Sequence, residues 1–271
     1  MPAIYAHHRL GQQARALLSQ PEAELLKEQA ELFAIGLQGP DILFHYKPLG
    51  AHPVNRLGTQ IHEKPGADFF LRAGEVLRRR GGDMAGAAYL CGAVCHFVLD
   101  VYCHGYVEET AAQGEVSHTE IETDFDRWLL CRDGQDPLRC RPARVLVPAQ
   151  DNGAVIAPFY EGTTPSQVRR GIAGMRRDSA LLAASFCGTR LLVRAGMKLA
   201  GKDRNFRGLL MTRRENPNCR ESTRQLWERY QQAVPKAAAL MAEYLRFLAE
   251  GGALDPLYQE PFAPRAVPSP A

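Results

Sequence analysis

The chain has 271 residues, 45% of them hydrophobic, enough for one large domain or two small ones with a substantial buried core. Its 33 basic and 30 acidic residues leave a formal charge of +3, too balanced to mark nucleic acid or an anionic membrane as the partner. The start, MPAIYAHHRLGQQARALL, lacks the basic segment and apolar run of a secretory signal. No apolar stretch approaches the roughly 20 residues that span a bilayer. Seven cysteines, an odd number in no short repeating framework, suit a reducing compartment. The expectation is a soluble cytoplasmic protein for which peripheral membrane contact stays open and oligomeric state is not legible.

In chain order, the segment around His7 and His8 reads as a strand-like or loop start. Residues 12 to 36 then place Ala16, Leu17, Leu25, Leu32 and Ile35 at helical spacing, and Gly39-Pro40 stops the pattern just before Asp41. A second helical run covers 66 to 80 and ends at Gly81-Gly82. The apolar stretch from Met84 to Val107, rich in Ala and Leu and free of Pro, predicts a central buried helix. An amphipathic helix follows at 118 to 131, then an irregular excursion over 133 to 165 with a small hairpin at Val145 to Ile156. Thr164-Pro165 supplies a cap and a helix-start proline for a long helical region to about Lys202. Another helix covers 220 to 250. The result is an all-α chain with a single multi-helix domain over residues 1 to 260. A Pro/Ala-rich tail at 261 to 271, FAPRAVPSPA from Phe262 onward, is read as mobile.

All eight histidines, at 7, 8, 45, 52, 62, 96, 104 and 118, fall in the first 118 residues. Histidine is the commonest zinc-binding side chain, so this lopsided clustering points to a metal site. His96, Asp100 and His104 stand at i, i+4 and i+8, and at about 100° per residue they drift only about 80° around a helix axis. His118 and Glu122 repeat the four-residue step on the next helix. An ionised Asp100 in so apolar a helix needs a positive partner, and no Lys or Arg occurs between Arg80 and Arg127. A metal ion is the simplest partner; a buried His-Asp hydrogen-bond network is the alternative. Five ligand-type side chains on two helices exceed what one closed zinc site needs and suit a cluster of two or three ions.

These residues resemble the zinc-dependent phospholipase C family, whose relatives include the single-strand-specific zinc nucleases. The resemblance rests on MPAIYAHHRLG, GPDILF at 39 to 44, GTQIH at 58 to 62, AYLCGAVCHFVLDVYCH at 88 to 104 and HTEIETDFD at 118 to 126. It implies an α-helical fold with three zinc ions in a cleft, two of them sharing a bridging carboxylate. Asp41, His62, His96 and Asp100 match the set for one ion of the pair, with Asp100 as the bridge. His7 matches the histidine of the second ion, with His8 as the alternative, and His104, His118 and Glu122 match the set for the third. The implied chemistry is attack of an activated water on a phosphodiester of a lipid or other small phosphoester, with Asp41 as general base. Nuclease-like action, and a metal-binding or regulatory protein without turnover, are the competing readings; nucleic acid is disfavoured because the sequence shows neither a stacking platform nor a basic groove.

The chain departs from the family at two places. It begins Met-Pro where secreted members expose a mature tryptophan whose amino group and carbonyl bind zinc. Asp100 and His104 are four apart without the family's proline-containing turn, which predicts a continuous helix. Of the remaining candidates, His45 and His52 read as solvated or supporting groups, Phe44 and Tyr46 as packing or an apolar substrate wall, and Cys91, Cys95 and Cys103 as core residues. The pairs Arg169-Arg170, Arg176-Arg177 and Arg213-Arg214 read as solvated helix faces.

Overall fold

The computed structural model describes residues 4–48, 50, 52–183 and 208–263, and among these no strand occurs, only helices, turns and one isolated bridge between Pro65 and Pro261. The helices are α1 (Ile4–Arg15), α2 (Gln20–Glu28), α3 (Ala30–Gly36), α4 (Pro53–Glu63), α5 (Gly66–Arg79), α6 (Met84–Ala112), α7 (His118–Arg132), α8 (Gln150–Ile156), α9 (Pro165–Leu182) and α10 (Arg220–Glu250), with a short 3-10 turn over Gly39–His45 that becomes important below. The all-α expectation holds.

Helix α6 is the axis of the molecule. Its side chains are buried on every face from Gly86 to Asp100, and it packs against α1, α3, α5, α7 and α10. By length and composition alone α6 could cross a membrane, with a mean hydropathy of 1.6, yet 83% of that apolar window is enclosed by the rest of the protein, as in a core helix. It begins at Asp83, whose carboxylate accepts the Gly86 N–H, and it runs unbroken through His104, as the absence of proline predicts. Helix α10 lays Leu226, Tyr230, Ala233, Ala237, Leu240, Met241, Tyr244 and Phe247 into the core at helical spacing.

Four expectations are corrected. The start is helical from Ile4, because Asp126 on α7 accepts the backbone N–H groups of Tyr5 at 3.0 Å and Ala6 at 2.9 Å and so satisfies the open first turn. The 12 to 36 pattern is three helices rather than one: Ser19 and Glu22 form a reciprocal capping box ahead of Pro21, and the chain breaks again at Gln29. The Val145 to Ile156 hairpin is instead a 3-10 turn over Pro142–Val145 followed by α8, where Asn152 donates to Glu31 and to the Val147 carbonyl. The tail packs at least to Ala263, since Phe262 is fully buried and the Ala263 N–H donates to the His62 carbonyl; residues 264–271 lie outside the described residues. Helix α9 closes at Leu182 with the Ala183 N–H turned back onto the Leu181 and Ser179 carbonyls. The rest of the run to Lys202 falls outside the described residues.

Helices α3 and α6 meet backbone to backbone at Gly36 and Gly92. A Cβ on Gly36 would strike the Tyr89 carbonyl, and one on Gly92 the Phe33 carbonyl. Gly105, on the same helix, faces open space. The two positions therefore separate packing from helix propensity. Gly92→Ala should lower stability by about 1–3 kcal/mol through overpacking, whereas Gly105→Ala should raise it by up to about 1 kcal/mol through propensity. Urea unfolding of the two variants tests the contrast; equal signs would show that backbone approach does not set the α3–α6 distance.

Candidate metal centre

Five segments deliver the eight candidate ligands. His7 projects from the first turns of α1, which Asp126 anchors. Asp41 comes from the 3-10 turn, entered through Gly39 at φ +48° and Pro40. His62 sits in the last turn of α4, a helix that starts where His52 accepts the Val54 N–H. His96, Asp100 and His104 line one stripe of α6. His118 opens α7 behind a capping box formed by Ser117 and Glu120, and Glu122 follows one turn later. All but the partly exposed His118 are buried.

Asp100 stands at the centre. Its Oδ1 lies 3.4 Å from His7 Nε2 and 3.3 Å from His104 Nε2, and its Oδ2 lies 3.2 Å from His96 Nε2 and 3.9 Å from His62 Nε2. Beyond this core, His62 Nε2 is 3.1 Å from Asp41 Oδ1, while Glu122 Oε1 is 3.0 Å from His118 Nε2 and 3.6 Å from His104 Nε2. The His7 and His96 rings stack at 4.3 Å, and those of His104 and His118 meet edge to face at 5.4 Å. Three groups with ligand atoms within 4.8 Å of one another result: His7, His96 and Asp100; Asp41, His62 and His96; and His104, His118 and Glu122. All eight residues singled out from the sequence thus converge. The grouping differs in one detail from that implied by the resemblance, since His96 adjoins both groups of the pair while Asp100 turns one oxygen toward His7 and the other toward His96 and His62.

Several of the atoms in these close approaches lack hydrogen-bond alignment. Among the described residues, both ring nitrogens of His96 and of His104, Nε2 of His62 and of His118, Asp100 Oδ2 and Glu122 Oε2 are buried without an aligned partner. Buried polar atoms left so are costly, at about 1–3 kcal/mol each, unless something else satisfies them. Zinc bonded to nitrogen and oxygen at about 2.0–2.2 Å in tetrahedral geometry places its ligand atoms about 3.3 Å apart, which is the spacing seen. Imidazole and carboxylate are also the donor chemistry zinc accepts, so the residues present fit the ion.

Electrostatics agree. Burial would raise the Asp100 carboxyl, but His104 and His96 hold it well below the usual carboxylate range. Burial would likewise raise Glu122, and His118 with His104 pull it down. Although burial works against a charged imidazole, the flanking Glu122 and Glu108 carboxylates push His118 up to about 9. The site is built to hold positive charge between its carboxylates.

Sequence reasoning missed two residues. Glu108 continues the four-residue ladder of α6 by one more step, a signal present in the spacing, and its Oε1 lies 2.7 Å from His118 Nδ1. Phe262 sets its ring 5.6 Å from that of His62 and 6.1 Å from that of His96, backing the site with an apolar wall; a lone aromatic in a proline-rich tail gives no periodic signal. The remaining candidates fall in supporting positions. His45 Nδ1 pairs with Asp178 at 2.8 Å, and Phe44 packs its ring 5.3 Å from that of His62. Tyr46 is buried against His52. Cys91, Cys95 and Cys103 are core residues whose thiols burial pushes up, and Cys95 Sγ touches Met241 Sδ at 3.3 Å. Arg177 is tied to Asp178 and Arg213 to Asp136.

The all-helical fold thus brings together three adjoining groups of imidazoles and carboxylates that could hold metal ions. The family described as zinc dependent phospholipase C matches residues 6–163, more than half of the chain and all eight convergent positions, and the chain belongs to that family. No curated protein and no solved structure matches the chain.

Gly39 is the residue on which this geometry leans most. A Cβ there would lie 2.5 Å from the His96 ring, and the positive φ disfavours any side chain. Gly39→Ala should cost about 1–2 kcal/mol for the backbone alone and displace His96, which two groups share. Zinc content measured beside urea unfolding should therefore show loss of metal beyond what the stability change explains. A variant with full zinc content would show that His96 is not held by this contact.

Proposed function

We propose that the protein hydrolyses a phosphodiester of a lipid or small phosphoester in a zinc-dependent reaction of the phospholipase C type. The observation that carries this reading is the set of buried, unaligned ligand atoms around Asp100, for which an ion cluster is the simplest partner. Zinc at such sites supplies Lewis acidity toward phosphoryl oxygen and toward water.

The chain's own residues have separable roles. His7, His62, His96, His104 and His118 would offer nitrogen donors to the ions, while Asp100 and Glu122 would neutralise part of the ions' charge and leave the remainder for an anionic substrate. Asp41 is assigned as general base. Its carboxylate lies against His62 at the mouth of the 3-10 turn and accepts a proton from water as the water oxygen attacks phosphorus. The bond from phosphorus to the departing alkoxide breaks, and the alkoxide is protonated through solvent as Asp41 gives up the proton it accepted, which restores the carboxylate. Phe262 and Phe44 keep bulk water from the His62 side.

Metal content by inductively coupled plasma mass spectrometry, on protein purified without an affinity-tag metal, tests the proposal. The parent should carry two or three zinc per chain, and His96→Ala and His118→Ala should each lose a different ion. Chelation should lower the melting temperature, because an ion that binds only the folded state stabilises it. Asp41→Asn should reduce phosphodiester turnover by about 10²–10⁴-fold. Folded, metal-free parent protein overturns the hydrolase reading, and full zinc content without turnover of any phosphoester leaves a metal-binding protein.

A further inference from the structure

We infer that Glu108 is a positioning residue for the third group, fixing the His118 imidazole in the orientation and tautomer that present Nε2 to the site. The inference rests on the metal-site reading above and adds a residue to it.

His96, Asp100, His104 and Glu108 are four rungs of a four-residue ladder, and each of the three steps between them advances about 40° around the axis. Glu108 is therefore rotated by about 120° from His96, away from the ligand stripe and toward the start of α7. There its Oε1 meets His118 Nδ1 at 2.7 Å, while His118 Nε2, on the opposite edge of the ring, lies 3.0 Å from Glu122 Oε1. A carboxylate only accepts, so the bond to Glu108 keeps a proton on His118 Nδ1, and Nε2, which faces the site, is the nitrogen left to bind an ion.

The other histidines show why this one needs such a partner. His62 has the same arrangement built from backbone, with Nδ1 at 2.7 Å from the Gly58 carbonyl. The His96 side chain is 0% exposed, held between Gly39 and the stacked His7 ring, and that of His104 is 7% exposed. The His118 side chain is 22% exposed and begins its helix, so packing leaves its ring free to turn. A hydrogen bond to the far nitrogen replaces the missing walls. Glu108 is itself 46% exposed, which keeps its carboxylate solvated and makes the pair inexpensive to form. Orienting partners of this kind typically change metal affinity by 10–100-fold, whereas an exposed ion pair changes little.

The test is zinc titration of the full chain, stripped of metal, against a competing chelator, following the ion that His118→Ala loses. Glu108→Ala should weaken that ion about 10–100-fold and leave the others unchanged. Glu108→Gln keeps an acceptor oxygen without the charge and should restore most of the affinity. An unchanged affinity in Glu108→Ala overturns the inference while the zinc-bound parent upholds the functional reading. A Glu108→Gln as weak as Glu108→Ala also overturns it, since that result assigns the effect to charge rather than orientation. A parent that takes up no zinc overturns both readings.

Discussion

The constraint on which the structure turns is a carboxylate placed in the middle of the most apolar helix of the chain. Asp100 is buried on α6 with no lysine or arginine in reach along 46 residues of sequence, from 81 to 126. Left alone, such a charge would cost several kcal/mol or be neutralised by a proton. The fold answers by bringing four imidazoles to its two oxygens from α1, α4 and α6 itself. The elements around the site are in turn fixed by local devices: the Asp126 carboxylate at the open end of α1, the glycine-proline entry to the 3-10 turn that carries Asp41, the His52 cap of α4, and the backbone contact of α3 with α6. Packing and site are therefore one problem, because the residues that make the helices fit are those that aim the ligands.

How much of this was legible in the sequence follows from the range of each interaction. The stripe on α6 and the pair on α7 are periodic within one helix, and spacing alone places them. Their convergence with His7, Asp41 and His62 depends on contacts between residues far apart in the chain, which spacing does not encode; the family resemblance supplied that part. The helical start of α1 was hidden because its cap, Asp126, lies 120 residues away from Ala6. The segment from Val145 to Ile156 misled for the opposite reason. Its β-branched residues favour strand, yet the Asn152 hydrogen bonds to Glu31 and Val147, with Gly153 pressed on the Pro165 carbonyl, select a helix.

Glycine has two distinct uses here. At Gly36 and Gly92 it removes bulk so that two helix backbones meet, which sets the depth of the core. At Gly39 it supplies a backbone conformation that other residues disfavour and clears space for the His96 ring, which links the chain's turn to the site's chemistry. The candidate ligands are enclosed on the α6 and Gly39 sides, and His118 is the one among them whose ring reaches solvent.

The unbroken course of α6 has a consequence for how such a protein can diversify. From His96 to His104 the helix rises about 12 Å, so the separation of the outermost α6 candidate ligands is set by a rod rather than by loops. Insertions or deletions in the connecting segments can reshape the surroundings of these residues without altering that separation. Sequence change around the site can then accumulate while the spacing of these side chains along α6 is kept.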